Sequence, residues 1–230
     1  FFAVFFCTLA FAFFANIVEW AGGMQPYAIG GIFAVDNFTR FFSEIFIFVT
    51  ALGALTLHYN TALYYSDEEQ HPIILTLLLL AAFAMVLVAA STSVISLFLS
   101  MEFLAIAFYE LVALKKDKIG MEAAIKFFVV GVFSSLLFLL GAAFYYGALG
   151  TTNFSALTTA KFTPFLAASF VLMLAGIGFK MSVFPLNLWL PDVYQGAPSS
   201  ITAILAGAAK KAGFAAYMRL LLPIMLPILR

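Results

Sequence analysis

The chain has 230 residues, of which 65% are hydrophobic and 10% charged, with no net charge at pH 7. That composition excludes an ordinary soluble domain and points to an integral membrane protein. Without a dense block of Lys and Arg on a solvated face there is no electrostatic footprint for nucleic acid.

Apolar runs of about 20 residues are long enough to cross a bilayer, and they predict spans at Phe1 to Val18, Asp36 to Leu57, Pro72 to Ala90, Thr92 to Leu114, Glu122 to Ala148, Pro164 to Phe184 and Ser199 to Leu220. A further span is predicted to open at Leu221, near Pro223 and Pro227. The first run has neither a basic leader nor a small-residue cleavage pattern, so it reads as a span and not as a signal peptide. Because the chain begins without Met and ends at Arg230 as a span opens, we expect a piece of a longer protein: one transmembrane domain over 1–230, with about seven full spans and the start of another. Lys115, Lys116 and Lys118 cluster between two spans, whereas Glu19 to Val35 carries no Lys or Arg, which predicts a cytoplasmic Lys115 loop. Alternation then places the Asp67 and Glu68 loop and the Pro191 to Pro198 loop inside and the Gly150 to Lys161 loop outside; Lys161 and Arg219 on the outer side run against the charge rule.

Cys7 is the only cysteine, so neither a disulfide framework nor a cysteine metal cluster is available. His58 and His71 flank a loop without a third ligand at helical spacing and read as solvated side chains.

The chemistry lies in charges placed where lipid cannot solvate them. Glu102, Lys180 and Lys210 each fall near the middle of an apolar span; a centred charge costs about 2.5–3.5 kcal/mol on insertion scales, so such groups face a partner or a wet cavity. Burial disfavours the charged form of a carboxylate or an amine and a nearby opposite charge restores it, so a Glu102–lysine pair would have a switchable proton affinity. Arginine stays charged and cannot serve in this way. The alternative is a static ion pair that only fixes helix packing. Glu110, two turns beyond Glu102, is either a proton-uptake residue or an interface carboxylate; Lys126 follows Glu122 by four residues, which suits a helix-surface pair, and near a helix end it could also snorkel. The stretch Gly176 to Pro185 sets two glycines, a serine and a proline around Lys180 and predicts a helix broken at Pro185, next to a cavity that satisfies the freed backbone groups; a simple proline kink is the alternative.

The run from Gly178 through Lys180, Pro185, Trp189, Pro191 and Asp192-Val-Tyr-Gln-Gly-Ala-Pro198 to Ala203 resembles the signature of the antiporter-like membrane subunits of respiratory complex I, and subunit N most closely. Glu102 with Tyr109 and Leu111, Glu122 to Lys126 with Gly131 and Phe133 to Ser135, Tyr146-Gly147, Gly150-Thr151 and Val35 to Phe38 match in the family's order, so the likeness covers nearly the whole chain. The resemblance implies an all-α, polytopic transmembrane bundle of the inverted-repeat type, with a discontinuous helix near Lys180 to Pro185. It implies proton translocation through Glu102, Lys180 and Lys210, with Glu110 and Lys126 as secondary positions. Lys210 is preferred to Lys211 because the family's lysine lies four residues before a phenylalanine, here Phe214. Asn187 stands where relatives commonly have His, and the family's second half, with its own lysine, is not in these residues. The partners implied are the lipid bilayer and other membrane-arm subunits of a complex I-type NADH-quinone oxidoreductase, in an energy-transducing membrane such as the prokaryotic plasma membrane. The chain lacks four ligating cysteines and a phosphate-binding glycine turn, so flavin and iron-sulfur clusters are expected in partner subunits. The rivals are a Mrp-type cation/proton antiporter, a related membrane-bound hydrogenase or deazaflavin dehydrogenase, and, last, a seven-span receptor or scaffold.

Overall fold

The computed structural model describes residues 1–64, 70–115 and 117–228. The Asp67 and Glu68 loop, Lys116 and Arg230 lie outside the described residues. Helix α1 covers Phe2–Ala21, a small hairpin joins β1 (Tyr27–Ile29) to β2 (Phe33–Val35), and α2 (Asn37–Tyr64), α3 (Gln70–Ala90), α4 (Val94–Ala113), α5 (Lys118–Leu149) and α6 (Pro164–Met181) follow. After α6 come two short helices, α7 (Leu190–Gly196) and α8 (Ser199–Ile204), then a π turn over Leu205–Ala209 and α9 (Lys210–Ile228). Helices α1 to α6 are each long and apolar enough to cross a membrane. Helix α5, with 32 residues, measures ~48 Å at 1.5 Å per residue and so exceeds a ~30 Å hydrocarbon layer.

Polar residues at the helix starts supply the caps that lipid cannot. The Ser93 hydroxyl accepts the Ser96 amide at 3.1 Å while the Ser96 hydroxyl accepts the Ser93 amide at 3.2 Å, a reciprocal box that opens α4. Asp117 accepts the Gly120 amide at 2.6 Å to open α5, and Thr163 accepts the Leu166 amide at 3.2 Å just ahead of Pro164, the first residue of α6. In Asp117 the hydrogen bond from Lys115, followed by the one from the Gly120 amide, holds the carboxyl below the usual aspartate range.

The end of the bundle carrying Lys115 is termed inner here. Helix α7 lies at that same end, since the Gly196 carbonyl approaches Gly120, and the hairpin and the segment after α5 lie at the other. There the chain knits three loops together: Thr92 donates to the Ile32 carbonyl at 3.0 Å, Val94 to Thr152 at 2.8 Å and Phe154 to Thr92 at 3.0 Å. The hairpin, pinned by the Phe33–Ser91 bridge, was not anticipated, because strands of three residues carry too little alternation to be read.

Helices α3 and α4 form the centre, with Ile74, Leu78, Met85 and Val88 meeting Leu97, Phe108 and Leu111 in the buried core. Helix α1 is peripheral and buries only Phe5 and Leu9. The α5–α6 seam is set by glycine: a Cβ at Gly176 would stand 2.7 Å from Phe138 Cβ and 2.9 Å from the Ser134 carbonyl oxygen, and one at Gly141 would stand 2.8 Å from the Ser169 carbonyl oxygen. Lipid tails give helices no hydrophobic reason to associate, so such close backbone approach supplies the packing. The predicted boundary at Leu221 is corrected, since α9 continues through Leu221 and Pro223 to Ile228. Proline is tolerated in membrane helices where neighbours satisfy the freed carbonyls.

Candidate functional site

The centre of the bundle holds a short line of polar side chains from four helices. On α4, Glu102 Oε1 stands 3.5 Å from Lys180 Nζ near the end of α6, with side chains 27% and 14% exposed respectively. This is an ion pair longer than the 2.7–2.9 Å of a close charge-assisted hydrogen bond, and Lys180 Nζ has no hydrogen-bond partner among the described residues. The carboxylate is held instead by Ser135 of α5, whose hydroxyl lies 2.5 Å from Glu102 Oε1 and 3.0 Å from the Gly131 carbonyl oxygen.

Lys180 and Lys210 both line one narrow cavity of about 30 Å³, whose walls include Val88, Met101, Phe127 and Trp189. That volume holds one or two water molecules. Lys210 Nζ sits 4.8 Å from the centroid of the Tyr194 ring, a cation–π distance. Phe127 stacks on Trp189 at 4.5 Å and Phe179 tilts against it at 5.2 Å, which makes an aromatic floor. Trp189 Nε1, Tyr194 Oη and Ser182 Oγ are buried without hydrogen-bond partners among the described residues. Buried polar groups of this kind are ordinarily satisfied by water where there is room.

The local folding that opens this space is the helix break. Helix α6 ends at Met181, Ser182 takes the left-handed conformation with φ 59°, and its amide turns back to the Gly178 and Phe179 carbonyls. The chain through Pro185 is non-helical until α7 begins at Leu190. On the other side of the cavity the π turn delivers Lys210, whose amide donates to the Leu205 carbonyl five residues back. Extra-residue turns of this type recur at functional positions in helices.

Glu102, Lys180 and Lys210 are therefore brought together, with Pro185 in the break. Lys211 is on an exposed face beside the Phe214 ring, 5.7 Å from its centroid, and does not line the cavity. Glu110 is on the exposed face of α4, apart from the pair. Lys126 pairs with Glu122 at 2.9 Å as its spacing suggests, but also with Asp192 of α7 at 3.1 Å, at the inner edge and away from Glu102. Asn187 is half-buried in the break, its carbonyl accepting the Leu190 amide. His58 is exposed, in the solvated setting expected, with its ring tilted beside Phe2 at 4.5 Å between centroids, whereas His71 is half-buried, 6.1 Å from the Phe2 ring.

A second polar centre was missed. At the outer end Arg219 of α9 grips Asp36 with two hydrogen bonds of 2.7 Å, donates to Thr39 Oγ1 at 2.6 Å and gives Nε to the Ala89 carbonyl at 2.5 Å. Burial works against the Asp36 carboxylate, yet the Arg219 hydrogen bonds, the Thr39 amide and the arginine charge together hold its carboxyl below the usual range. Arg219 is thus an internal partner, and its outer position is no exception to loop-charge bias. The Asp-Asn opening of α2 was the only visible cue to this clamp.

Residues 91–229 match the family described as NADH:quinone oxidoreductase/Mrp antiporter, TM. NADH-quinone oxidoreductase subunit N of Trichlorobacter lovleyi is 36% identical over 218 residues, covering 91% of this chain and 43% of that protein. F(420)H(2) dehydrogenase subunit N of Methanosarcina mazei is 34% identical over 192 residues, covering 81% of this chain and 38% of that one. Respiratory complex I from Thermus thermophilus contains a chain that superposes with a TM-score of 0.79 at 31% identity, covering 92% of this chain and 45% of its own. The Mrp complex of Dietzia contains one with a TM-score of 0.84 at 21% identity, covering 97% of this chain and 44% of its own, a likeness of fold. The chain spans less than half the length of the curated relatives it matches. From the family match, the relatives' identity and the shared fold, the chain belongs to the NADH:quinone oxidoreductase/Mrp antiporter transmembrane family.

Proposed function

We propose that this chain is the proton-translocating part of a membrane subunit in a complex I-type oxidoreductase, with Glu102, Lys180 and Lys210 as the carriers or modulators of the moving proton. The observation that carries the reading is that Lys180 Nζ stands 3.5 Å from Glu102 and shares a cavity with Lys210, deep in an apolar bundle. When the carboxylate is close, it stabilises the ammonium form of Lys180. When the pair opens, that stabilisation falls and the lysine gives up its proton across the cavity toward Lys210. The 3.5 Å separation leaves the pair free to tighten or loosen by side-chain movement alone.

Work must be done on the proton: moving one outward against 100 mV costs about 2.3 kcal/mol. In this proposal quinone chemistry elsewhere in the assembly supplies that work by changing the Glu102 to Lys180 separation, and flavin and iron-sulfur clusters reside in partner subunits. The site in this chain performs no redox step. The relatives' names support this assignment, in particular the subunit N proteins of an NADH-quinone oxidoreductase and of an F(420)H(2) dehydrogenase. The membrane proposed is the energy-transducing plasma membrane of a prokaryote, with Lys115 on the cytoplasmic side.

The test is Lys180→Met in the full-length subunit within its complex. Electron transfer to artificial acceptors should persist in membrane vesicles while proton pumping is lost. Pumping at the wild-type rate would overturn the proposal.

A further inference from the structure

Ser135 has one hydroxyl hydrogen and two acceptors within reach: Glu102 Oε1 at 2.5 Å and the Gly131 carbonyl oxygen at 3.0 Å. It can donate to only one of them at a time. The serine side chain is buried, so its hydroxyl has only these two acceptors to choose between, while Glu102 is partly exposed. Which acceptor it serves is fixed by whether Glu102 carries a proton. An ionised Glu102 has no donor of its own and takes the Ser135 hydrogen, a charge-assisted bond about twice as strong as a neutral one. A protonated Glu102 is itself a donor; its O–H turns to Ser135 Oγ, and the serine hydrogen swings back to the Gly131 carbonyl, the i−4 bond that helical serines ordinarily make.

We infer that Ser135 is a positioning residue that reads the protonation state of Glu102 by switching its hydroxyl between the Glu102 carboxylate and the Gly131 carbonyl. In both states the Ser135 hydroxyl and the Glu102 oxygen facing it keep a hydrogen bond between them, and the change needs only rotation about the hydroxyl and carboxyl O–H bonds. Ser135 keeps its own hydrogen throughout and carries no proton onward. This inference rests on the proposed function, in which Glu102 changes charge during turnover, and it adds the group that keeps both charge states of that carboxylate housed.

The surroundings of Glu102 leave this task to Ser135. Helix α6 presents Lys180, α9 presents Lys210 across the cavity, and α4 itself carries Tyr109, whose hydroxyl lies against the bare α-carbon of Gly131 and has no hydrogen-bond partner among the described residues. Helix α3 carries no titratable side chain between Pro72 and Ala90. The glycine at 131 makes room for the tyrosine ring, since a Cβ there would collide with the Tyr109 hydroxyl.

The experiment is infrared difference spectroscopy on the purified complex containing the full-length subunit, following the C=O stretch of protonated Glu102, identified as the band missing in Glu102→Gln. In Ser135→Ala the band should move in frequency and persist to a pH about one unit higher, a tenfold change, because the ionised form loses a charge-assisted donor. Ser135→Thr should restore both. If Ser135→Ala does not assemble, Ser135→Cys, a weaker donor, decides: a displaced titration supports the switch and an unmoved one overturns it. A band that titrates in Ser135→Ala as in the wild type also overturns it. A Glu102→Gln complex that pumps at full rate would instead sink the proton-axis reading, so the two failures are distinguishable.

Discussion

Replacing Arg219 by Met should be the most damaging single change at the outer end of the bundle. It removes both bonds to Asp36, the bond to Thr39 and the bond to the Ala89 carbonyl, which tie α9 to α2 and α3. Breaking a buried ion pair from one side costs about 3–5 kcal/mol. Asp36 is 29% exposed and water replaces part of what it loses, which puts the expected cost near the lower end, about 3 kcal/mol. For a chain of this size that corresponds to a fall in melting temperature of about 6–12 °C. Thermal unfolding of the purified full-length protein in detergent, scanned against pH, measures it. Because the folded Asp36 carboxyl is held below its ordinary value, the clamp contributes fully above the unfolded carboxylate value near pH ~4 and fades as pH falls through the lower folded value. Wild type and variant should therefore differ most at pH 7 and draw closer in acid, where the bonds to Thr39 and the Ala89 carbonyl remain. A melting temperature within about 2 °C of wild type at pH 7, or a gap that does not narrow in acid, would refute the reasoning.

Lys210→Met should reduce pumping far more than Lys211→Met, since only Lys210 lines the cavity; comparing initial pumping rates in vesicles decides it, and equal losses would reject the cavity as the path. Gly176→Ala should push α6 away from α5, because the new Cβ meets the Phe138 Cβ and the Ser134 carbonyl, which belongs to the backbone and cannot step aside. The cost should be about 1–3 kcal/mol, visible in thermal unfolding, and pumping should fall with it, as Gly176 lies one turn before Lys180.

Six of the seven predicted spans were legible from apolar length, while Ser199 to Leu220 is divided between α8, the π turn and α9; the break near Pro185 and the three central charges were legible because each violates a local expectation: a charge in an apolar run, or a proline with glycines where a helix should continue. The preference for Lys210 over Lys211 came from a resemblance and agrees with the face each occupies. What stayed hidden depends on partners distant in the chain. Arg219 and Asp36 are 183 residues apart, and Ser135 meets Glu102 across 33, so neither contact leaves a periodic trace. The π turn before Lys210 sits in Leu-Ala-Gly-Ala-Ala, which would serve equally well as plain helix; tertiary packing chooses there. The inner-edge position of Lys126 was likewise set by Asp192, a residue of a helix that exists only because α6 stops early.

The size of the chamber between the two central lysines carries a consequence for energy conservation. At about 30 Å³ it admits solvent in ones and twos, too little for a continuous file of molecules from one face of the bilayer to the other. Under the proposed function, charge crossing such a chamber would pass in discrete hand-overs and not as a current, which would keep the membrane voltage from being short-circuited. A mutation that widened the chamber would be expected to show itself first as leakiness, before any loss of the hand-over itself.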